Sequence, residues 1–330
     1  MPLKKISLFM IGKIAKLMSL IIAVSIISFL LIKHSPIDPI QSYIGADMSR
    51  VGPEQREKLE EYWGLNEPLT TQFFSWAESL FHGDFGTSLL YRSPVINVIA
   101  DRFLASLALM GMAWIFSGLF GFVLGVVAGL KRGKMIDRII KGYCFLLSST
   151  PTFWIGLLLL IIFSVWLGWF PVGLSTPVGI LTTEVSLLDR IHHLLLPAIT
   201  LSIIGVANVA LHTREKLIDV YNSEYIRFAK ASGEKGFILF WRHGLRNISL
   251  PAITLQFTSF GELFGGAVLA EQVFSYPGLG QAIVQAGLGG DVPLFLGVVL
   301  FSVLFVFIGN TIADLLYQWV DPRLRKGEIR

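Results

Sequence analysis

The chain has a single cysteine, Cys144, in 330 residues. An internal disulfide is therefore excluded, and the redox compartment is left open. Charge is also scarce, at 15% Asp, Glu, Lys and Arg against the roughly 25% of an ordinary soluble domain. With 53% hydrophobic residues and a mean hydropathy of +0.66, a soluble globular protein is excluded. No Gly-x-x-x-x-Gly-Lys-[Ser/Thr] phosphate loop occurs, and Gly133-Lys134 is a lone dipeptide, so the chain does not hydrolyse ATP by that chemistry. There is no Gly-x-Ser-x-Gly elbow, no His-Glu-x-x-His and no carboxylate pair within an apolar run, which argues against an enzyme acting inside the membrane. No basic run interleaved with aromatics suggests nucleic-acid binding. Neither inverted repeats nor several intramembrane charges are present, as an ATP-independent secondary transporter or channel would need.

What the chain has in abundance is apolar length. Six runs, at roughly 10–32, 103–130, 142–169, 194–213, 248–272 and 293–317, reach the ~20 residues that a helix needs to cross a bilayer. The expected fold class is an all-α membrane protein of six transmembrane helices, one domain over 1–330 surrounded by membrane lipid. The basic residues orient it. Lys4, Lys5, Lys13 and Lys16 precede the first run, and Lys131, Arg132, Lys134, Arg138 and Lys141 follow the second. Arg214, Lys216, Arg227, Lys230, Lys235, Arg242 and Arg246 follow the fourth, and Arg323, Arg325, Lys326 and Arg330 close the tail. Six spans put all of these on one side, whereas five or seven scatter them. By the positive-inside rule both termini are then cytoplasmic. The run Leu17 to Ile32 has basic residues before it like a signal peptide, but Lys33-His-Ser-Pro-Ile-Asp-Pro39 is a poor cleavage site, so an uncleaved span is expected.

Residues 33–102 form a long extracytoplasmic loop in this topology. Glu54, Glu57, Glu60, Glu61, Glu67 and Glu78 alternate there with Tyr62, Trp63, Phe73, Phe74 and Trp76. The periodicity predicts short amphipathic helices joined at Gly64 and at Gly83-Asp-Phe-Gly86. The loop at 170–192 carries the adjacent His192 and His193, which are weak evidence for a metal site. No metal site is expected. A last outer loop, from Val273 to Pro293, is rich in turn-forming glycine and proline.

Two places stand out as sites. The first lies in the cytoplasmic segment 214–247. Read as a helix, Tyr221, Tyr225, Phe228, Ala229 and Ser232 share one face, Glu224, Arg227, Lys230 and Glu234 take the other, and Gly233 ends it. Such a helix either lies on the lipid surface or docks into a groove on a partner. The second is Glu262, about 18 Å into the fifth span at ~1.5 Å per residue from Leu250. A carboxylate there costs on the order of 3 kcal/mol, so it faces either a polar pathway or a helix partner. Gly261, Gly265 and Gly266 beside it permit close approach of another backbone. Asn310 and Asp314, one turn apart in the sixth span, are read as helix-bridging groups.

Five motifs in order then carry a resemblance. They are Gly83-Asp-Phe-Gly86-Thr-Ser88, Arg242-His-Gly-Leu-Arg-Asn247 ahead of Leu250-Pro251, Glu271-Gln-Val-Phe-Ser-Tyr-Pro-Gly-Leu-Gly280, Asp291-Val-Pro293, and Asn310-x-x-x-Asp314 with Asp321-Pro-Arg323. Over nearly its whole length the chain resembles permease subunits of the dipeptide, oligopeptide and nickel family of binding-protein-dependent ABC importers. The resemblance implies the type I importer permease fold. It implies partners: a second homologous permease, two ATP-binding subunits and an extracytoplasmic substrate-binding protein. It implies that the chain binds no cofactor itself, with ATP and Mg acting through the ATPases.

Under the same resemblance Arg227-Phe-Ala-Lys-Ala-Ser-Gly233 stands where such permeases carry a coupling helix that docks into the ATPase. Tyr225, Arg227, Phe228, Ala229 and Gly233 are its expected residues. Phe228 and Ser232 depart from the frequent Arg-Thr-Ala-Arg-Ala-Lys-Gly, and Ser35-Pro-Ile-Asp-Pro39 replaces the usual Pro-Gly-Asp-Pro. Glu271, Phe274, Pro277, Gly278, Gly280, Asp291 and Pro293 form the expected structural motif, and Glu262 the expected pathway residue. The implied cargo is a di- or oligopeptide. Gly261-Glu-Leu-Phe-Gly-Gly266 looks more like the nickel permeases, which keeps nickel or a metal chelate as the alternative.

Overall fold

The structure of the protein, a computed structural model, describes residues 3–38, 40, 52–180 and 184–320. Pro39, Asp321-Pro-Arg323 and the basic tail lie outside the described residues. Among the described residues there is no strand, only one antiparallel bridge between Thr87 and Pro94.

The first helix, α1 (Leu3–Lys33), carries its lysines toward the N-terminal end, with Lys33 closing the other. Helix α2 (Pro53–Tyr62) starts with proline at its first position and Glu54 in its first turn, both favourable at a helix N-terminus. Helix α3 (Leu69–Phe81) follows. Gly64 and Gly83, at φ +61° and +81°, make the turns at either end of it, a conformation that costs other residues a Cβ clash. Then come α4 (Val95–Leu130), α5 (Met135–Ser148), α6 (Thr152–Leu159, continued by a wider turn Leu160–Trp166) and α7 (Leu187–Asn222). The remaining elements are α8 (Glu224–Ala231), α9 (Gly236–Leu239, continued by a wider turn Phe240–Leu245), α10 (Arg246–Thr258), α11 (Phe260–Val273), α12 (Leu279–Leu288) and α13 (Val292–Val320). Helix α12 occupies much of what reads in sequence as a glycine-rich loop.

Among the described residues four helices are long and apolar enough to cross a membrane: α1, α4, α7 and α13. The number rises to six if each of two bent pairs is one span. The runs at 142–169 and 248–272 are thus not straight helices. Helices α5 and α6 meet at 108°, where Pro151 cannot extend the preceding helix. Helices α10 and α11 meet at 54° around Ser259. There the hydroxyls of Thr258 and Ser259 donate to the carbonyls of Leu255 and Gln256, side-chain bonding that bends a helix.

The chain divides into two compact units, Met1–Ala105 with Pro277–Phe307, and Ser106–Tyr276 with Ile308–Arg330. The first has a core of Val95, Val98, Ile99, Leu279, Ala286, Leu294 and Val298. In the second, α7 is the central helix: 67% of its apolar window is buried, against 17% for the window of α1. Gly121, Gly125 and Gly129, spaced four apart on α4, let α7 approach closely. A Cβ at Gly125 lies 2.5 Å from the Ala210 carbonyl oxygen, and one at Gly121 lies 2.9 Å from that of Val206. Helices in lipid associate through such small-residue stripes because no hydrophobic gain drives them together. Gly125→Val therefore forces α4 off α7. A loss of about 3 kcal/mol or more is expected, the upper end of overpacking penalties, read as a lowered thermal midpoint in detergent.

At one end of this helix pair, Arg214 of α7 forms a two-pronged ion pair with Asp137 of α5, at 2.6 and 2.9 Å. The Gly133 N–H donates to the same carboxylate at 2.9 Å. The side chains are 14% and 2% exposed, so the pair is one that cannot lose a member without stranding a buried charge.

Candidate coupling and translocation sites

The segment after α7 breaks at Ser223, whose extended backbone (φ −70°, ψ 156°) separates α7 from α8. Glu224 in the first turn and Lys230 in the last complement the helix dipole. The end is a Schellman motif: Gly233, at φ +94°, donates its N–H to Lys230, and Glu234 donates to Ala229. Glu234 then pairs with Arg242 and His243, each at 2.9 Å, fixing the chain that leads into α10.

The faces of α8 differ from the sequence expectation. Ile226 and Ala229 are buried, against Leu239, Val220 and Tyr221. Tyr225 is 46% exposed and Phe228 75% exposed. The reason is the break at Ser223: Tyr221 belongs to the preceding helix, so the i, i+4 row drawn through it does not continue. Ile226, absent from that row, is three residues from Ala229 and was available as the signal. Arg227 is exposed as well. Nearby Phe237 and Trp241, 73% and 62% exposed, stack with ring centroids 5.8 Å apart.

Glu262 lies in the first turn of α11, just past the bend. Its depth is therefore not a count along one straight axis. Its side chain lines a cavity of about 290 Å³ with Asn208 and His212 of α7, and with Thr258 and Ser259. The glycines beside it admit side chains rather than a backbone. Gly261 faces the Asn310 amide, Gly266 faces Leu201, and Gly265 faces open space. The close backbone approach of this unit is made by α4 instead.

The motif Glu271 to Gly280 runs from one compact unit into the other. In the second unit Glu271, 1% exposed, accepts a 2.6 Å hydrogen bond from the Ser106 hydroxyl, and its carbonyl accepts from the Tyr276 N–H. Burial pushes the Tyr276 phenol up to about 12, with the Glu271 carboxylate adding to the effect. The Phe274 carbonyl accepts from the Leu174 N–H at 3.0 Å. Only glycine fits at 173, where a Cβ would sit 2.4 Å from that carbonyl oxygen. In the first unit Pro277 leads to Gly278, which precedes α12, and Gly280 is buried in that helix.

Asp291 joins two motifs that stand far apart in sequence. It is fully buried, and one carboxylate oxygen accepts from the Ser88 hydroxyl (2.6 Å) and the Leu90 N–H (3.0 Å). The other accepts from the Leu294 N–H at 3.1 Å, which caps α13. Gly86, at φ +78°, packs directly on Pro293.

His192 and His193 are spent on backbone carbonyls, of Trp169 (2.8 Å) and Gly173 (3.0 Å). Among the described residues no group of three or more His, Cys, Asp or Glu could hold a metal ion.

The family model described as the binding-protein-dependent transport system inner membrane component matches residues 121–326. The corresponding N-terminal model matches residues 6–110. The chain belongs to this family. It is accordingly a multi-pass permease of the type I importer fold.

The permease is similar to the oligopeptide transport system permease protein AppB of Bacillus subtilis (strain 168), at 37% identity over 92% of this chain and 95% of that protein. It is similar to the di/tripeptide transport system permease protein DppB of Pseudomonas aeruginosa (strain UCBPP-PA14), at 33% over 96% and 99%. The glutathione transport system permease protein GsiC of Salmonella choleraesuis (strain SC-B67) is 34% identical over 96% and 98%.

Proposed function

We propose that the permease is the membrane-spanning subunit of an ATP-driven importer that carries di- or oligopeptides into the cytoplasm across the cell membrane. It pairs with a second homologous permease, two ATP-binding subunits that supply ATP and Mg, and an extracytoplasmic binding protein. Both termini face the cytoplasm. The observation that carries this reading is α8, a capped helix on the basic side that presents Phe228 and Tyr225 outward while Ile226 and Ala229 hold it in place. A chain without a phosphate loop needs such a surface to receive work from an ATPase.

In the proposed cycle ATPase closure pushes α8 and thereby α7, and cargo delivered at the outer loops passes Glu262 on its way inward. Peptide cargo is supported by the peptide and glutathione permeases among its relatives. One observation favours the second reading, a metal chelate: Glu262 and His212 line the same cavity. The importer reconstituted in proteoliposomes with its binding protein is expected to accumulate radiolabelled dipeptide or tripeptide on addition of ATP. Accumulation of nickel but not of peptide would reverse the choice.

A further inference from the structure

Helix α7 is mostly buried, yet one row along it is open. Asn208, His212, Glu215 and Asp219, spaced four, three and four apart, share a helix face. Asn208, Glu215 and Asp219 are exposed and His212 is half-buried. The row begins inside the apolar run 194–213 and continues toward α8. A row that met lipid inside a span would be apolar, as the exposed Ile22, Ile26 and Leu30 of α1 are. This one is polar, and Asn208 and His212 line the cavity where Glu262 and Thr258 are also exposed. Exposure here therefore means an aqueous lumen or another chain, not hydrocarbon.

The chemistry of this cavity is one-sided. The hydroxyl protons of Thr258 and Ser259 are committed to the Leu255 and Gln256 carbonyls at 2.8 and 2.9 Å, so these oxygens offer the cavity only lone pairs. The bonds that bend the span also turn its hydroxyls into acceptors. Among the described residues the Glu262 carboxylate has neither an ion pair nor a hydrogen bond. The Asn208 amide adds one more acceptor oxygen, and no lysine or arginine lines the cavity. An alkyl ammonium, with three donors and no acceptor, complements such a set. A metal ion is served less well, because Glu262 and His212 gain no third His, Cys, Asp or Glu among the described residues.

We infer that this cavity receives the N-terminal ammonium of the peptide in passage, with Glu262 as its counter-charge and Asn208, Thr258 and Ser259 as further acceptors. The inference rests on the reading of the cargo as peptide and adds to it the group that is recognised. The α-ammonium is the one cation that every unblocked peptide carries whatever its side chains, so a single carboxylate serves cargo of varied sequence. Charge-assisted hydrogen bonds to it are lost when the amine is acetylated. The C-terminal carboxylate meets no cation in the cavity, so blocking that end costs nothing here.

The test uses the assembled importer in lipid nanodiscs without its binding protein, and labelled trialanine as probe. Wild type is expected to bind trialanine and trialanine amide alike, and both about tenfold more tightly than N-acetyl-trialanine. Glu262→Gln, an isosteric change at an exposed side chain, is expected to erase that preference. Asn208→Ala, the second variant, is expected to reduce it about threefold. Equal binding of the free and acetylated peptides to wild type overturns the inference. So does a preference that both variants keep, or a Glu262→Gln variant that loses its second permease while the preference survives, which makes Glu262 a contact between chains. Nickel chloride that displaces trialanine from wild type, with no preference for the free amine, makes the cavity a metal site instead. Transport of trialanine by the complete importer is measured in parallel. If it is transported without any dependence on its free amine, this inference falls and the peptide reading stands; if no peptide is transported, the peptide reading falls and takes this inference with it.

Discussion

Phe228→Asp is expected to leave the permease folded and to uncouple it from ATP hydrolysis. The ring is 75% exposed, so its removal costs α8 little, within the ~0.5 kcal/mol of ordinary surface changes. A docked aromatic anchor is another matter. Its truncation at an interface typically costs about 2 kcal/mol or more, and a carboxylate in the same pocket adds an unpaired charge. Together these correspond to a loss of at least ~30-fold in association. Peptide-stimulated ATPase activity and uptake in proteoliposomes should both collapse while the thermal midpoint stays where it is. The contrasting substitution is Ile226→Asp, three residues from Ala229 and fully buried. It should lower the midpoint and the amount of protein in the membrane. Intact uptake and ATPase stimulation in Phe228→Asp would remove α8 as the point where work enters.

Asp291→Ala should be the most destabilising single change in the first unit. It leaves the buried Ser88 hydroxyl and Leu294 N–H, and the part-buried Leu90 N–H, without their acceptor. Each buried donor without an acceptor costs about 1–3 kcal/mol, and the cap of α13 is lost as well. A total on the order of 4 kcal/mol is a large part of what an ordinary domain has to lose. The expected result is little protein in the membrane, and a thermal midpoint in detergent well below wild type. Asp291→Asn, which keeps one acceptor oxygen, should recover part of the loss. A midpoint unchanged in Asp291→Ala would mean that the three donors find water, and that the two motifs are not tied through this residue.

Much of the architecture is legible in the residues alone. Apolar run length, and the gathering of lysines and arginines between the runs, follow from the cost of placing charge in hydrocarbon, a rule blind to packing. Gly64, Gly83 and Gly233 read correctly as turn and stop positions because left-handed backbone is a local property of glycine. The Gly121, Gly125, Gly129 stripe is a four-residue repeat of the smallest side chain, yet the close approach was expected at Gly261, Gly265 and Gly266, because a spacing does not say which stripe meets a neighbouring backbone.

The faces of α8, the bends and the cavities were not. The row through Tyr221, Tyr225 and Phe228 assumes one continuous helix, and whether a helix continues past Ser223 depends on what α7 packs against. The bend at Ser259 needs hydroxyls to choose carbonyls over solvent. That choice moves Glu262 from a depth along an axis to the wall of a cavity shared with His212. Likewise, Ser88 and Asp291 are 203 residues apart, and no periodicity links them.

By itself, then, the sequence determined a chain of six membrane-length apolar runs with its basic residues clustered between them and no phosphate loop of its own: run length, charge placement and a missing motif are additive, local quantities. Only the tertiary structure decided which side chains face a partner, which face a cavity and which are buried anchors. Those outcomes depend on distances between residues far apart in the chain, and packing alone sets such distances.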